Sequence, residues 1–116
     1  MWDKLEKVFE ELGYPYARQG SYAEGEEIPE TTFTFWNYAT PEDGFYDNKS
    51  NKAVWTWYIY LYTKNPALIY DLMDRFVTIC KREGFIPDGR AKDIASDVPD
   101  YFGRYLIIRY VENYKE

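Results

Sequence analysis

The sequence predicts an α+β domain: a small, mainly antiparallel sheet of three to four strands with two helices on one face, in the order α-β-β-α-β. Three observations carry that reading. Apolar residues recur at spacings of three and four in two segments, one near the N-terminus and one following Pro66. Three other segments are rich in Thr, Val, Ile and aromatic residues and read with period two. The 116 residues suit a single domain, expected to span 1–116, that buries a core without disulfides.

The first helix is expected from Trp2, Leu5, Val8, Phe9 and Leu12, which form one narrow apolar stripe between Lys and Glu residues. Asp3 and Glu6 have capping-box spacing. Gly13 and Pro15 stand where a helix would stop. Residues 13–30 read as a connection, with a short extended piece near Tyr14–Arg18. Its Glu24, Glu26, Glu27 and Glu30 would repel one another if packed together, and are expected to stay in water.

The first long strand is expected at TTFTFWNYA, Thr31 to Ala39. Phe33, Phe35 and Asn37 share one of its faces, and Thr32, Thr34, Trp36 and Tyr38 the other. The next twelve residues, TPEDGFYDNKSN, are turn formers and suggest a protruding hairpin loop. AVWTWYIYLYT, Ala53 to Thr63, follows. Trp55, Trp57, Ile59 and Leu61 lie on one side; Val54, Thr56, Tyr58, Tyr60 and Tyr62 lie on the other. A half-buried strand is ordinarily apolar on one side and polar on the other, whereas this one is aromatic on both.

Asn65 is placed to cap a second helix, with Pro66 at its first position. Ile69, Leu72, Met73, Phe76, Ile79 and Cys80 form its apolar stripe, and Gly84 closes it. Cys80 on that stripe is expected to be buried and inert. Residues 85–103 are dense in Asp, Gly and Pro and read as a long irregular loop. RYLIIRYVENY, Arg104 to Tyr114, is the last strand, with Leu106, Ile108 and Tyr110 opposite Tyr105, Ile107, Arg109 and Val111.

Composition narrows the function. There is no histidine, so the commonest general base, the commonest metal ligand and the Ser-His and Cys-His nucleophile pairs are missing. A single cysteine allows neither an intrachain disulfide nor a zinc ribbon, and fits a reducing compartment. No glycine-rich phosphate loop is present. Asp88, Asp93, Asp97 and Asp100 fall in one loop, but their spacing is not that of a calcium loop. No catalytic, metal or cofactor-binding residue is therefore assigned, and the chain is not expected to be an enzyme. The net charge of −6 argues against binding nucleic acid by counterion release. No apolar stretch approaches membrane-spanning length, and the N-terminus is unlike a signal peptide, so synthesis in the cytoplasm is expected.

What the composition favours is protein contact. Aromatic residues make up 21% of the chain, with 13 tyrosines, and Tyr and Trp dominate interface energetics. Trp36, Tyr38, Tyr58, Tyr60 and Tyr62, with Tyr105, Ile107 and Val111 beside them, are expected to form an apolar outer sheet face that marks an interface. Residues 41–51 and 85–103 suit partner contacts, through Asp43, Phe45 and Tyr46 in the first and Arg90 and Lys92 in the second.

Four stretches, LGYPYARQGSY, TTFTFWNYATPEDGFYDNKSN, IYLYTKNPALIYDLMDRF and SDVPDYFGRYLIIRYVEN, together resemble the tail terminator and tail completion proteins of tailed phages and prophages of Gram-positive bacteria. The resemblance covers nearly the whole chain and rests on the order of elements, since no single motif is diagnostic. It implies a virion structural protein without catalysis or cofactor, a subunit of a homo-oligomeric ring, hexameric in that family. Such a ring caps the tail tube and docks on the neck, and DNA passes through the lumen without specific contact. A negative lumen, which repels phosphates, is compatible with that passage. The chain is shorter than larger members of that family, so a neighbouring neck component is the nearest alternative. A monomeric protein-binding module is a further one, and a small carboxylate enzyme the least favoured.

Overall fold

In the computed structural model, which describes residues 2–18, 28–39, 52–96 and 99–113, the N-terminal stripe folds as α1 (Trp2–Leu12). Asp3 lies inside its first turn, so it does not cap the helix as the capping-box spacing suggested. Gly13 ends α1 with φ +83°, a left-handed conformation that glycine adopts without a Cβ penalty, and its N–H donates to the Phe9 carbonyl. The chain then forms β1 (Tyr16–Arg18), β2 (Thr31–Ala39) and β3 (Lys52–Thr63). Next comes α2 (Pro66–Arg82), and then β4 (Ile86–Pro87), β5 (Lys92–Ile94) and β6 (Phe102–Asn113).

The strands make one six-stranded mixed sheet in the order β1-β2-β3-β6-β4, with β5 also on β6. The expected sheet of three to four mainly antiparallel strands is thus corrected in two ways. The short extended piece near Tyr14–Arg18 is β1, and it runs parallel to β2, with Tyr16 beside Phe33 and Arg18 beside Phe35. The segment read as a loop holds two strands that divide the outer edge of β6. β4 pairs at Arg109 and Ile108, and β5 at Tyr105, Arg104 and Gly103. Strands of two or three residues are too short to show any period, so what selects them is the free edge of β6. The centre of the sheet is antiparallel: β2 pairs β3, and β3 pairs β6 along its whole length, from Lys52 beside Asn113 to Thr63 beside Phe102.

Register decides which side chains meet the helices. Phe33 and Phe35 of β2, Trp57, Ile59 and Leu61 of β3, and Leu106 and Ile108 of β6 all project to one side and are buried. Against them pack Leu5, Val8 and Phe9 of α1 and Leu72, Met73 and Phe76 of α2. Phe9 lies 5.5 Å from Phe33 and 5.4 Å from Phe76 between ring centroids, so it joins both helices to the sheet. Burying each such side chain stabilises the fold by about 1.5–3 kcal/mol. Cys80 is buried in the same layer, and its surroundings push the thiol pKa up.

The entry to α2 is built from side-chain hydrogen bonds. The Asn65 side chain accepts from the Ala67 N–H at 3.0 Å, and the Thr63 hydroxyl accepts from the Asn65 N–H at 3.1 Å. Thr63 is also bonded to Thr31 across the β2–β3 pair at 2.8 Å. The expected i,i+4 pair of Asp71 and Arg75 is 3.9 Å apart and exposed, so it adds little. On the far side, Arg104 of β6 donates to Asp93 of β5 at 2.6 Å and lies over the ring of Tyr70 on α2. Tyr70 in turn donates to Asp93 at 3.1 Å, so three elements are tied at one point.

Candidate functional site: the outer sheet face

The same register that fills the core places every second residue on the side away from α1 and α2. Cross-strand neighbours on that side are Thr34–Tyr60–Tyr105, Trp36–Tyr58–Ile107 and Thr32–Tyr62–Gly103. Thr56–Arg109 and Val54–Val111 extend the face toward the far end of the β3–β6 pair. Four of the expected interface residues are therefore brought together. Tyr38 belongs to β2, but only its backbone is described there; a bulge between Asn37 and Ala39 alters the pairing at that point.

The rings form a connected array. Trp36 and Tyr58 stand 4.7 Å apart, Tyr58 and Tyr60 6.5 Å, and Tyr60 and Tyr105 6.0 Å between centroids. Tyr60 and Tyr62 stack with only 7° between their planes at 6.3 Å. Contacts of this kind contribute about 0.5–1.5 kcal/mol each beyond the area they bury. Between the rings lie two threonines, Thr34 and Thr56, both buried. Among the described residues the Thr34 hydroxyl has no hydrogen-bond partner, which is unfavourable in a site shielded from water.

The aromatic face is therefore semi-sheltered. Trp36, Tyr58, Tyr60, Tyr62, Tyr105 and Ile107 are all half-buried, where a bare sheet face was expected to leave a broad exposed patch. The most open apolar residues of this side are at its end: Ile86, 56% exposed beside Arg109, and Val111, 38% exposed. Ile86 was missed from sequence because it falls in the segment read as loop. Two other exposed rings, Tyr70 and Phe102, lie on the helix side, next to β5.

Charged groups sit around the face. Arg109 pairs with Asp88 at 2.6 Å, and Lys92 is exposed on β5 beside Tyr105. Arg90, grouped with Lys92 in the sequence reading, is elsewhere: it lines a cavity on the helix side together with Lys81 and Arg104. Asp43, Phe45, Tyr46 and Asp97 lie outside the described residues. Asp88 and Asp93 are engaged by Arg109 and Arg104, and among the described residues no group of three or more His, Cys, Asp or Glu side chains is arranged to hold a metal. Among the same residues, no helix is long and apolar enough to cross a membrane.

This arrangement is suited to contact with another protein. It offers flat, rigid rings with few rotatable bonds, the Arg109–Asp88 ion pair and Lys92 at its edge, and two open aliphatic side chains at one end. No protein-family model and no curated protein matches the chain.

Proposed function

We propose that the chain is a structural subunit of a phage tail, a tail terminator or tail completion protein that assembles into a ring at the head-proximal end and joins tail to neck. The observation that carries this reading is the two-sided aromatic sheet. One side is sealed by two helices, while the other presents a connected array of rings, from Trp36 to Tyr105, with no described helix packed on it. A ring subunit makes heterologous contacts and so needs two different surfaces. The outer face supplies one. The resemblance in element order supplies the setting, with tail-tube and neck proteins as partners, the virion as location, and passing DNA left without specific contacts.

The test is the mass of the protein in solution, alone and mixed with a tail-tube protein. The expected species is a ring, near six times the 13.9 kDa of one chain, in at least the second condition. Tyr60→Asp and Trp36→Asp are expected to leave a folded monomer that no longer assembles. A monomer under both conditions overturns the reading.

One observation favours a second reading, a monomeric protein-binding module. The outer rings contact one another and are half-buried in the single chain, without a neighbour. In that case Tyr60→Asp weakens a one-to-one complex and no ring forms under any condition.

A further inference from the structure

On the helix side of the sheet, between α2 and the segment that links β4 to β5, lies a cavity of about 340 Å³. Its walls carry Lys81 from α2, Arg90 from the linking segment and Arg104 from β6, with Asp74 as the one acidic side chain among the described residues; Val77 and Leu106 supply apolar wall. In a chain of net charge −6, this is a local reversal of sign.

The three cations are not equally committed. Arg104 donates to Asp93 through Nη1, and its buried Nε has no hydrogen-bond partner among the described residues. Arg104 therefore brings its charge to the cavity wall, whereas Lys81 and Arg90 are exposed there. Among the described residues, Lys81 and Arg90 have no ion-pair partner. The site thus gathers three cations from three elements, two of them uncommitted, which suits an anion with oxygens in several directions better than a planar one.

We propose that this cavity binds the phosphate group of a small phosphorylated molecule, with Lys81 and Arg90 closing on its oxygens and the Arg104 guanidinium adding positive charge at the wall. A phosphate is much smaller than 340 Å³, so there is room for part of the molecule that carries it against Val77 and Leu106. Occupancy would join α2 to the segment around Gly89 and Arg90. The site is independent of the aromatic face and of any assembly through it.

The experiment is a titration of the isotopically labelled full chain with inorganic phosphate, followed by amide NMR, with sodium chloride at matched ionic strength and sodium acetate in parallel arms. The expected result is saturable shifts at Lys81, Gly89, Arg90 and Arg104 with phosphate and a Kd below about 1 mM. Lys81→Ala and Arg90→Ala alter exposed side chains and should keep the native spectrum, while each weakens phosphate binding roughly tenfold. Shifts no larger than those with chloride, equal affinity for acetate, or affinity unchanged in both variants would each overturn the proposal.

Discussion

The ring of Tyr62 lies directly over Gly103, its partner across the β3–β6 pair. A Cβ built on Gly103 would stand 3.1 Å from Tyr62 Cε1 and 2.9 Å from the Ile94 side chain. The missing side chain is the space that lets Tyr62 lie flat and lets β5 approach β6. Gly103→Ala should therefore destabilise the fold by about 1–3 kcal/mol through overpacking, since the backbone there is not left-handed and a side chain meets only steric resistance. A urea midpoint that falls at constant slope would show it; an unchanged midpoint would mean that β5 moves aside freely.

Thr34 gives the opposite expectation. Its hydroxyl is buried among the outer rings with no partner among the described residues, so the folded state has lost a hydrogen bond to water and gained none there. Thr34→Val removes that group and keeps the β-branched shape favoured in strands. It should be neutral or stabilise by up to about 1 kcal/mol. Thermal unfolding of the two proteins side by side measures the difference, and a clear loss of stability would reveal an acceptor for the hydroxyl in solution.

Phe76 is the residue through which α2 meets Phe9 and Phe33 at 5.4 Å and 5.2 Å. It is fully buried, and truncation leaves a hole bounded by elements that cannot all close in. Phe76→Ala should cost roughly 3–5 kcal/mol, a large share of the 5–15 kcal/mol typical of a domain. Exchange of the α1 and α2 amides should quicken together, because Phe9 and Phe76 stand in one stack.

Cys80 contributes to the pH dependence of stability on the alkaline side. Burial raises its thiol pKa in the folded chain, while the unfolded chain ionises near the ordinary value of about 8.5. Below that value both states hold the proton and the contribution is constant. Above it only the unfolded state releases the proton, so stability falls as pH rises. Cys80→Ala should flatten that decline, and a thiol reagent at pH 8 should label the native protein only as fast as it unfolds.

The long elements were readable because each repeats its own period often enough to be seen. Trp2 to Leu12 and Ile69 to Cys80 carry helical stripes, and β2, β3 and β6 bear side chains on the faces their alternation indicates. The capping of α2 by Asn65 is local chemistry and was equally visible. The aromatic outer face followed from the same period-two reading, since Trp36, Tyr58, Tyr60 and Tyr62 are all out of phase with the core residues of their strands.

Other features depend on contacts between distant parts of the chain. Tyr16 to Arg18 could have paired in either direction, and it runs parallel to β2 with Tyr16 stacked on Phe9 at 4.9 Å. Ile86, Pro87 and Lys92 to Ile94 are strands only because β6 has an edge to offer. Arg90 and Lys92, two residues apart, end on opposite sides of the sheet. Lys81 and Arg104 meet around one cavity although 22 intervening positions separate them. Periodicity fixes which way a side chain faces along its own element, and here the sequence alone determined that; which distant group it then meets depends on the pairing of strand edges and on space left by residues such as Gly103, which only the tertiary structure decided.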